Sequence, residues 1–331
     1  HPLRIADLIQ FRPEGHADLC DPPHTPVTHG RLRKLQADDP SVIFDEIRRG
    51  DILLHHPYHS FDTSVLQFLR SASLDERVLA IKLTIYRTSA EAPIVQALTE
   101  AARLGKQVAG LVEITARFDE APNIEWGRKL EKEGVHVSYG VEKLKTPVKL
   151  AMVVREDDDG VRRYVHVGTG NYHSGTARVY EDLGLLSCDP ELGADVAAVF
   201  NELTSSTPHG GYDTLLVAPH NMRSRFIELI QREAEHAANG RPAGIRAKMN
   251  QLQDAEIIRE LYRASQAGVE ISLNIRGLCC LRPGIPGLSD KIRVFSVLGR
   301  FLEHGRIYGF ENDGAPEYFL GSADWMKRNL D

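Results

Sequence analysis

The sequence has few cysteines, and their spacing fits neither a disulfide framework nor a structural metal site. Four occur in 331 residues, and no two of them form a C-x-x-C pair: Cys20, Cys188, Cys279 and Cys280. Small disulfide-bonded domains and structural zinc sites use denser and more regular cysteine patterns. We therefore expect reduced thiols, no structural zinc and a cytoplasmic location.

Two further absences concern membranes and nucleic acids. No apolar run reaches the roughly 18 to 20 residues that cross a bilayer, and the opening segment HPLRIADLIQ lacks the pattern of a secretory signal. The 40 Lys and Arg are outnumbered by 46 Asp and Glu, which gives a net charge of −6. We expect no transmembrane segment and no nucleic-acid partner, so any anion site must be a local cluster of charge.

In other respects the chain is composed like an ordinary folded protein, with 42% hydrophobic and 26% charged residues. At roughly 150 residues per domain, its length predicts about two domains. Residues 12–40 are rich in proline and favour an extended connector. Because the first residue is His1 instead of Met, we expect a further part of the molecule upstream.

Strand and helix signals alternate in an order that occurs twice. Strand-like runs at 78–86 and 107–114 flank one helix, and runs at 244–250 and 269–277 flank another helix over 254–267. The apolar run LLVAP (215–219) is predicted to be the strand that opens the second half. One constant shift of 163 positions relates three helix residues of the first half to three of the second: Ile94, Ala101 and Gly105 to Ile257, Ala264 and Gly268. The sequence therefore predicts a duplicated α/β fold.

Each half also carries a version of an H-x-K/R pattern. The second half has it complete, as His304-Gly305-Arg306, whereas the first half has Pro147-Val148-Lys149. In such a layout two imidazoles would face one phosphorus atom, one attacking it and the other protonating the leaving oxygen. Lysine or arginine and backbone N–H groups would hold the remaining oxygens. The pattern predicts phosphoryl transfer.

A short glycine-containing block follows a strand in each half. The blocks are GTGNY (168–172), which contains Asn171, and GSADW (321–325). Glycine turns after strands are common, but together with Lys149 the first block is a candidate phosphate-binding loop. Two lobes that face each other would bring both blocks to one cleft.

Ordered segments over nearly all of residues 45–331 resemble polyphosphate kinases of the phospholipase-D-like class. The segments are ILLHHPYHSFD (52–62), IKLTIYRTS (81–89), ARFDEAPNIEW (116–126), LKTPVKLAMVVR (144–155), YVHVGTGNY (164–172), AKMNQLQD (247–254), LNIRGLCCLRPG (273–284), GRFLEHGRIYGFEN (299–312) and GSADWMKRNL (321–330). The resemblance implies two phospholipase-D-like α/β domains that share a cleft. Residues 1–33 would be a linker or remnant of an upstream domain, 34–214 the first catalytic domain, and 215–331 the second, truncated at its carboxy-terminal end.

The resemblance also implies an activity. The family transfers the terminal phosphate of ATP reversibly to inorganic polyphosphate through a phosphohistidine, whose position is occupied here by Pro147. Proline has no nucleophilic side-chain atom, so we expect an impaired kinase. The alternatives are a catalytically silent homologue that binds polyphosphate or nucleotide and, ranked last, a phospholipase-D-like phosphodiesterase.

Site residues follow from the same resemblance. Tyr180, Arg276 and His304 match positions that contact ATP, and His304 would also be a general acid or base. Arg87 and Arg117 match two arginines beside the magnesium–phosphate site, where they would act through phosphate and not as Mg²⁺ ligands. Lys149, Arg306 and Asn171 complete the expected phosphate contacts.

Plainer interpretations stay open for several of these residues. His304 could be a buried structural histidine, Tyr180 a core residue, and Arg87 and Arg117 members of surface ion pairs. His173, which follows GTGNY, is interpreted as a loop histidine instead of a relocated nucleophile. The cluster of His55, His56 and His59 is interpreted as a structural turn. The expected ligands are ATP or ADP, polyphosphate and Mg²⁺, and the sequence is compatible with a homo-oligomer.

Overall fold

Two β-sheets form the framework of the computed structural model, which describes residues 15–35, 39–85, 92–112, 127–128, 130–139, 148–205 and 210–331. The strands, in chain order, are β1 Ile52–His56, β2 Val78–Ile85, β3 Gln107–Val112, β4 His136–Tyr139, β5 Lys149–Asp157, β6 Gly160–Gly168, β7 Tyr180–Ser187, β8 Gly244–Met249, β9 Glu270–Ile275, β10 Ile292–Phe295, β11 Leu302–Glu303, β12 Arg306–Phe310 and β13 Glu317–Gly321. The α-helices are α1 Val42–Arg48, α2 Val65–Leu74, α3 Pro93–Arg103, α4 Pro190–Ser205, α5 Met222–Ala238, α6 Ala255–Gln266 and α7 Lys327–Leu330.

The two sheets repeat one topology. The first has the order β1-β7-β6-β5-β2-β3-β4, with β11 of the second half added beside β7, and the second has the order β10-β9-β8-β12-β13. In the first sheet β2 is parallel to β3 and antiparallel to β5, and in the second β8 is parallel to β9 and antiparallel to β12. The outer neighbours match as well. Strand β4 is parallel to β3 as β10 is to β9, and β6 is antiparallel to β5 as β13 is to β12. The predicted α/β class and internal duplication are confirmed.

Helix ends in the two halves match the predicted shift. Gly105 follows α3 with φ +83°, and Gly268 follows α6 with φ +102°. Only glycine adopts this left-handed conformation readily, so both glycines end a helix at equivalent points of the repeat. At the other end of α6, the Asp254 carboxylate accepts the backbone N–H groups of Glu256 and Ile257.

The first sheet is covered on both faces. Along β5, Ala151 and Val153 join the core beneath α2 and α3, whereas Leu150 and Met152 join a separate core with α4. Alternate residues of a strand point to opposite faces, so a strand apolar on both faces requires a layer on each side. The second sheet packs its own core against α5 and α6.

The predicted strand at LLVAP (215–219) is wrong. Backbone N–H groups of Thr214 and Leu215 donate to the Asp195 carboxylate of α4 at 2.7 and 2.8 Å, and that of Val217 donates to the Asn221 side chain at 2.6 Å. Because side chains take up these N–H groups, the apolar run needs no sheet partner. It connects the two halves as a half-buried linker.

No helix among the described residues is long and apolar enough to cross a membrane. The four cysteines are free thiols.

Candidate active site

His304 belongs to the second half of the chain but is held on the sheet of the first. Strand β11 pairs in parallel with β7, and the chain continues along it as far as Gly305. The carbonyl of Glu181 accepts the backbone N–H groups of His304 at 3.2 Å and of Gly305 at 2.8 Å. This pairing places the His304 imidazole beside the next residue of β7, Asp182.

The imidazole of His304 forms a close pair with the Asp182 carboxylate. Its Nδ1 lies 2.8 Å from Asp182 Oδ1 and 3.0 Å from Oδ2. Asp182 is buried and also accepts a hydrogen bond of 2.5 Å from the hydroxyl of Thr169, in the GTGNY block. A carboxylate can only accept, so Nδ1 donates this hydrogen bond, and the second ring nitrogen, Nε2, faces another partner.

Arg306 stands at that second imidazole nitrogen. Its Nη1 donates to His304 Nε2 at 3.2 Å and to the His304 carbonyl at 2.9 Å. The rest of the guanidinium donates to the Asp324 carboxylate at 3.2 and 3.3 Å. Asp324 is itself fixed by the backbone N–H of Asn250 at 2.7 Å. A fixed positive charge therefore lies next to the lone pair of His304.

Tyr180 and Arg276 both lie near His304. The Tyr180 ring centroid is 5.2 Å from that of the imidazole, with the rings tilted by 50°. Arg276 donates from Nη1 to the carbonyl of Glu303 at 3.3 Å. Burial, followed by the charge of Arg306, lowers the pKa of the Arg276 guanidinium. Two cations held this close favour an anion between them.

The sheet register shows which motif residues correspond in the two halves. Lys149 of β5 pairs with Gly168 of β6, and Arg306 of β12 pairs with Gly321 of β13. Lys149 and Arg306, which are both buried, therefore occupy equivalent positions at the ends of equivalent strands.

Counting along the chain from these pairs relates further residues. Asn171 stands as far after Gly168 as Asp324 stands after Gly321, and Pro147 precedes Lys149 as His304 precedes Arg306. Asn171 is half-buried. Pro147, Arg87 and Arg117 lie outside the described residues, so their expected roles stay predictions.

The GTGNY block supports Asp182 directly. A Cβ added at Gly170 would lie 2.5 Å from Asp182 Oδ2, so a side chain at this position would displace the carboxylate. Thr169 makes two hydrogen bonds with Leu183: its backbone N–H donates to the Leu183 carbonyl, and its side-chain hydroxyl accepts the Leu183 N–H. The block therefore orients the partner of His304, a role that its sequence did not indicate.

The other histidines take separate positions. His55 Nε2 lies 2.6 Å from Glu181 Oε1, and buried His56 places Nδ1 2.8 Å from the carbonyl of His59. His173 accepts the backbone N–H of Thr176 at Nδ1, 3.1 Å away, within a tight turn. Within the described ranges, no group of three or more His, Cys, Asp or Glu could hold a metal ion.

Sequence reasoning missed both carboxylates of the site. Asp182 is buried within the strand YEDLGLLS, and Asp324 is buried after β13. A buried Asp is rarely unpaired, so an acidic residue in an apolar strand was the available signal. Its partner could not be inferred, because His304 lies 122 positions away.

These features define a duplicated α/β protein whose two halves together place a histidine, a carboxylate and several cationic side chains around one site. A family model described as "Polyphosphate kinase C-terminal domain 1" matches residues 42–209, and "Polyphosphate kinase C-terminal domain 2" matches residues 215–331. The chain belongs to the polyphosphate kinase family.

Individual relatives agree. The chain is 61% identical over 289 residues to the polyphosphate kinase of Thermosynechococcus vestitus. The aligned region covers 87% of this chain and 40% of the relative. It is 52% identical over 330 residues to that of Streptomyces coelicolor, covering 100% and 44%. The crystal structure of polyphosphate kinase from Porphyromonas gingivalis superimposes with a TM-score of 0.86 at 35% identity, over 97% of this chain and 52% of that one. The chain thus spans about half or less of each of these relatives.

Proposed function

We propose that this chain forms the phosphoryl-transfer site of a polyphosphate kinase, which transfers the terminal phosphate of ATP reversibly to inorganic polyphosphate. One observation carries the proposal: the Nε2 lone pair of His304 faces the guanidinium of Arg306, while its Nδ1 is held by Asp182. The Nε2 lone pair can accept a proton, and the Arg306 guanidinium can hold a phosphate oxygen.

The residues of the site have separable tasks in this proposal. His304 Nε2 exchanges a proton with the reacting phosphate oxygen, and Asp182 stabilises the imidazolium that forms. Arg306 turns from His304 to the transferring phosphate, to which Arg276 and Lys149 also bind. Tyr180 contacts the nucleotide, and Asn171 donates to a phosphate oxygen from the position equivalent to Asp324.

Mg²⁺ is proposed to reach the site bound to the phosphates of ATP. The two carboxylates of the site already have protein partners, since Asp182 accepts a hydrogen bond from His304 and Asp324 pairs with Arg306. Mg²⁺ commonly keeps its water and binds through substrate phosphates. Arg87 and Arg117 would hold those phosphates, and the metal would supply charge neutralisation.

Pro147 is the reason to consider two functions, a kinase of reduced activity and a homologue without activity. Proline at the position equivalent to His304 leaves the first motif without an imidazole, so no phosphohistidine forms there. The second candidate function is therefore the binding of polyphosphate or nucleotide without turnover. A phosphodiesterase of the phospholipase-D-like type is ranked last. The cytoplasmic location stays a prediction.

Incubation with radiolabelled ATP, Mg²⁺ and a polyphosphate primer tests these functions. Acid-labile phosphate on the protein and labelled polyphosphate are measured separately, with and without EDTA. We expect slow, EDTA-sensitive chain growth without acid-labile protein phosphate. Saturable polyphosphate binding with no chain growth would identify a silent binder, and hydrolysis of a phosphodiester substrate would identify a phosphodiesterase.

A further inference from the structure

A charged cluster crosses the boundary between the two halves one residue away from Asp182. Lys248 of β8 forms a salt bridge with Glu181 of β7 and a second one, of 3.0 Å, with Glu303 of β11. His55 of β1 lies 2.6 Å from the other oxygen of Glu181. Three strands of the first sheet thus meet one strand of the second at this cluster.

Glu181 joins the halves with both its backbone and its side chain. Its carbonyl accepts the N–H groups of His304 and Gly305, and its carboxylate binds Lys248. Its neighbours in β7 are Tyr180 and Asp182, which both contact the His304 ring. A shift of the second half along β7 would therefore separate His304 from both.

Lys248 links Glu181 to the strand that carries Arg306. In the second sheet it pairs with Ile307, directly after Arg306. A salt bridge from Lys248 to Glu181 therefore fixes the strand that carries Arg306 relative to the strand that carries Asp182. Gly305 adds a close approach, since a Cβ there would lie 3.4 Å from both the carbonyl and the carboxylate of Glu181.

The cluster differs from an ordinary surface ion pair in its burial. Side-chain exposure is 11% for Glu181 and 17% for Lys248, so water screens the pair weakly. Burial acts to raise the pKa of the Glu181 carboxyl, but the hydrogen bonds from His55 and Lys248 outweigh it and lower that pKa. By contrast, the Lys291–Glu270 pair of 2.6 Å is 48% and 72% exposed. Such exposed pairs contribute little.

We propose that Glu181 and Lys248 form an interdomain latch that positions His304 against Asp182. The latch rests on the proposed function only for its consequence in catalysis, because the geometry it controls is observable without turnover. Neither residue is assigned a contact with the reacting phosphate, so both are positioning residues.

The test compares Lys248→Met with Lys291→Met, which removes the same charge from the exposed pair, and with Lys248→Arg, which retains a cation. Nitrogen chemical shifts of the His304 imidazole, assigned with a His304→Asn variant, report whether Nδ1 alone carries the proton. We expect Lys248→Met to give a mixture of His304 tautomers. Lys248→Arg should keep the single Nδ1-protonated tautomer, and Lys291→Met should leave the His304 shifts unchanged. Glu181→Gln provides a nearly isosteric second disruption should Lys248→Met fail to fold.

Turnover is measured in a Pro147→His background, where we expect Lys248→Met to lower kcat about 10- to 100-fold with little change in the KM for ATP. The double variant Glu181→Gln/Lys248→Met should be no worse than Lys248→Met alone, because that substitution already breaks both salt bridges of Lys248. If the His304 tautomer responds but no variant transfers phosphate, the proposed function fails and the latch stands. If phosphate transfer occurs and Lys248→Met matches Lys291→Met in both readouts, the latch is wrong.

Discussion

Asp182 and His304 come from different halves of a duplicated chain and meet through a hydrogen bond of 2.8 Å. Neither half contains this pair by itself. The second half supplies the imidazole and the neighbouring guanidinium of Arg306, while the first half supplies the carboxylate and the Thr169 hydroxyl that holds it. Duplication alone would give two similar sites, but the crossing of β11 to β7 unites one motif from each half in a single site.

Asp182→Asn should reduce phosphoryl transfer by about 10²- to 10⁴-fold, since the amide cannot stabilise an imidazolium. An amide can also donate to Nδ1, which would leave the proton on the wrong nitrogen. Initial rates of chain growth with radiolabelled ATP, in a Pro147→His background, measure the effect. Asp158→Asn, at an 80% exposed carboxylate paired with Arg77, is the matched control. Equal rates in the two variants would remove Asp182 from the mechanism.

His304→Asn should abolish transfer while the protein stays folded. The asparagine amide can still donate to buried Asp182, whereas His304→Ala would leave that carboxylate with Thr169 alone and lower stability. Circular dichroism melting curves should therefore separate the two variants, whereas chain growth, measured in a Pro147→His background, should be absent from both. Transfer that persists in His304→Asn would assign the histidine a structural role.

Pro147→His should raise polyphosphate synthesis by several orders of magnitude and create acid-labile protein phosphate. The substitution restores an imidazole at the position equivalent to His304, and loss of a covalent nucleophile normally has an effect of this size. Pro147→Gln, which adds a polar side chain without a nucleophile, is the control. If the unchanged protein already synthesised polyphosphate at the rate of Pro147→His, the covalent role of this position would be refuted.

Arg87→Ala and Arg117→Ala should each weaken polyphosphate binding by roughly 1.5 to 3 kcal/mol, the value of a charge-assisted contact. Titration calorimetry at two salt concentrations measures this, and binding should weaken as salt increases. Arg103→Ala, at a 60% exposed arginine paired with Glu133, is the control. Affinities equal to that of the control in both variants would contradict the phosphate-clamp role.

The sequence predicted the features that depend on local pattern. The shift between α3 and α6, the glycines that end them and the alternation of strands and helices all depend on nearby residues, and the structure contains them. The prediction of a strand at LLVAP was wrong because Asp195, which lies outside the run, supplies the hydrogen-bond acceptors that a neighbouring strand would otherwise provide. The pair of Asp182 with His304 could not be predicted, because a short crossing strand sets it.

The buried imidazole of His166 should make the protein lose stability in acid. Burial, and secondarily the nearby His56, lower the pKa of His166 to about 3, against about 6.5 in the unfolded chain. Between these values the unfolded chain binds a proton that the native protein does not. The free energy of unfolding therefore falls as the pH falls, by about 1.4 kcal/mol per pH unit.

His166→Phe should remove about 2 kcal/mol of the loss of unfolding free energy between pH 7 and pH 5, because the unfolded variant no longer gains this proton. Burial also lowers the pKa of His56, so this histidine maintains part of the pH dependence of stability in the variant. Tyr172→Phe is the control, since it deletes the hydroxyl that lies 2.7 Å from His166 Nδ1 but keeps the imidazole. Urea unfolding at both pH values should show a lower stability for Tyr172→Phe with an unchanged pH dependence. A full acid loss in His166→Phe would show that another group causes it.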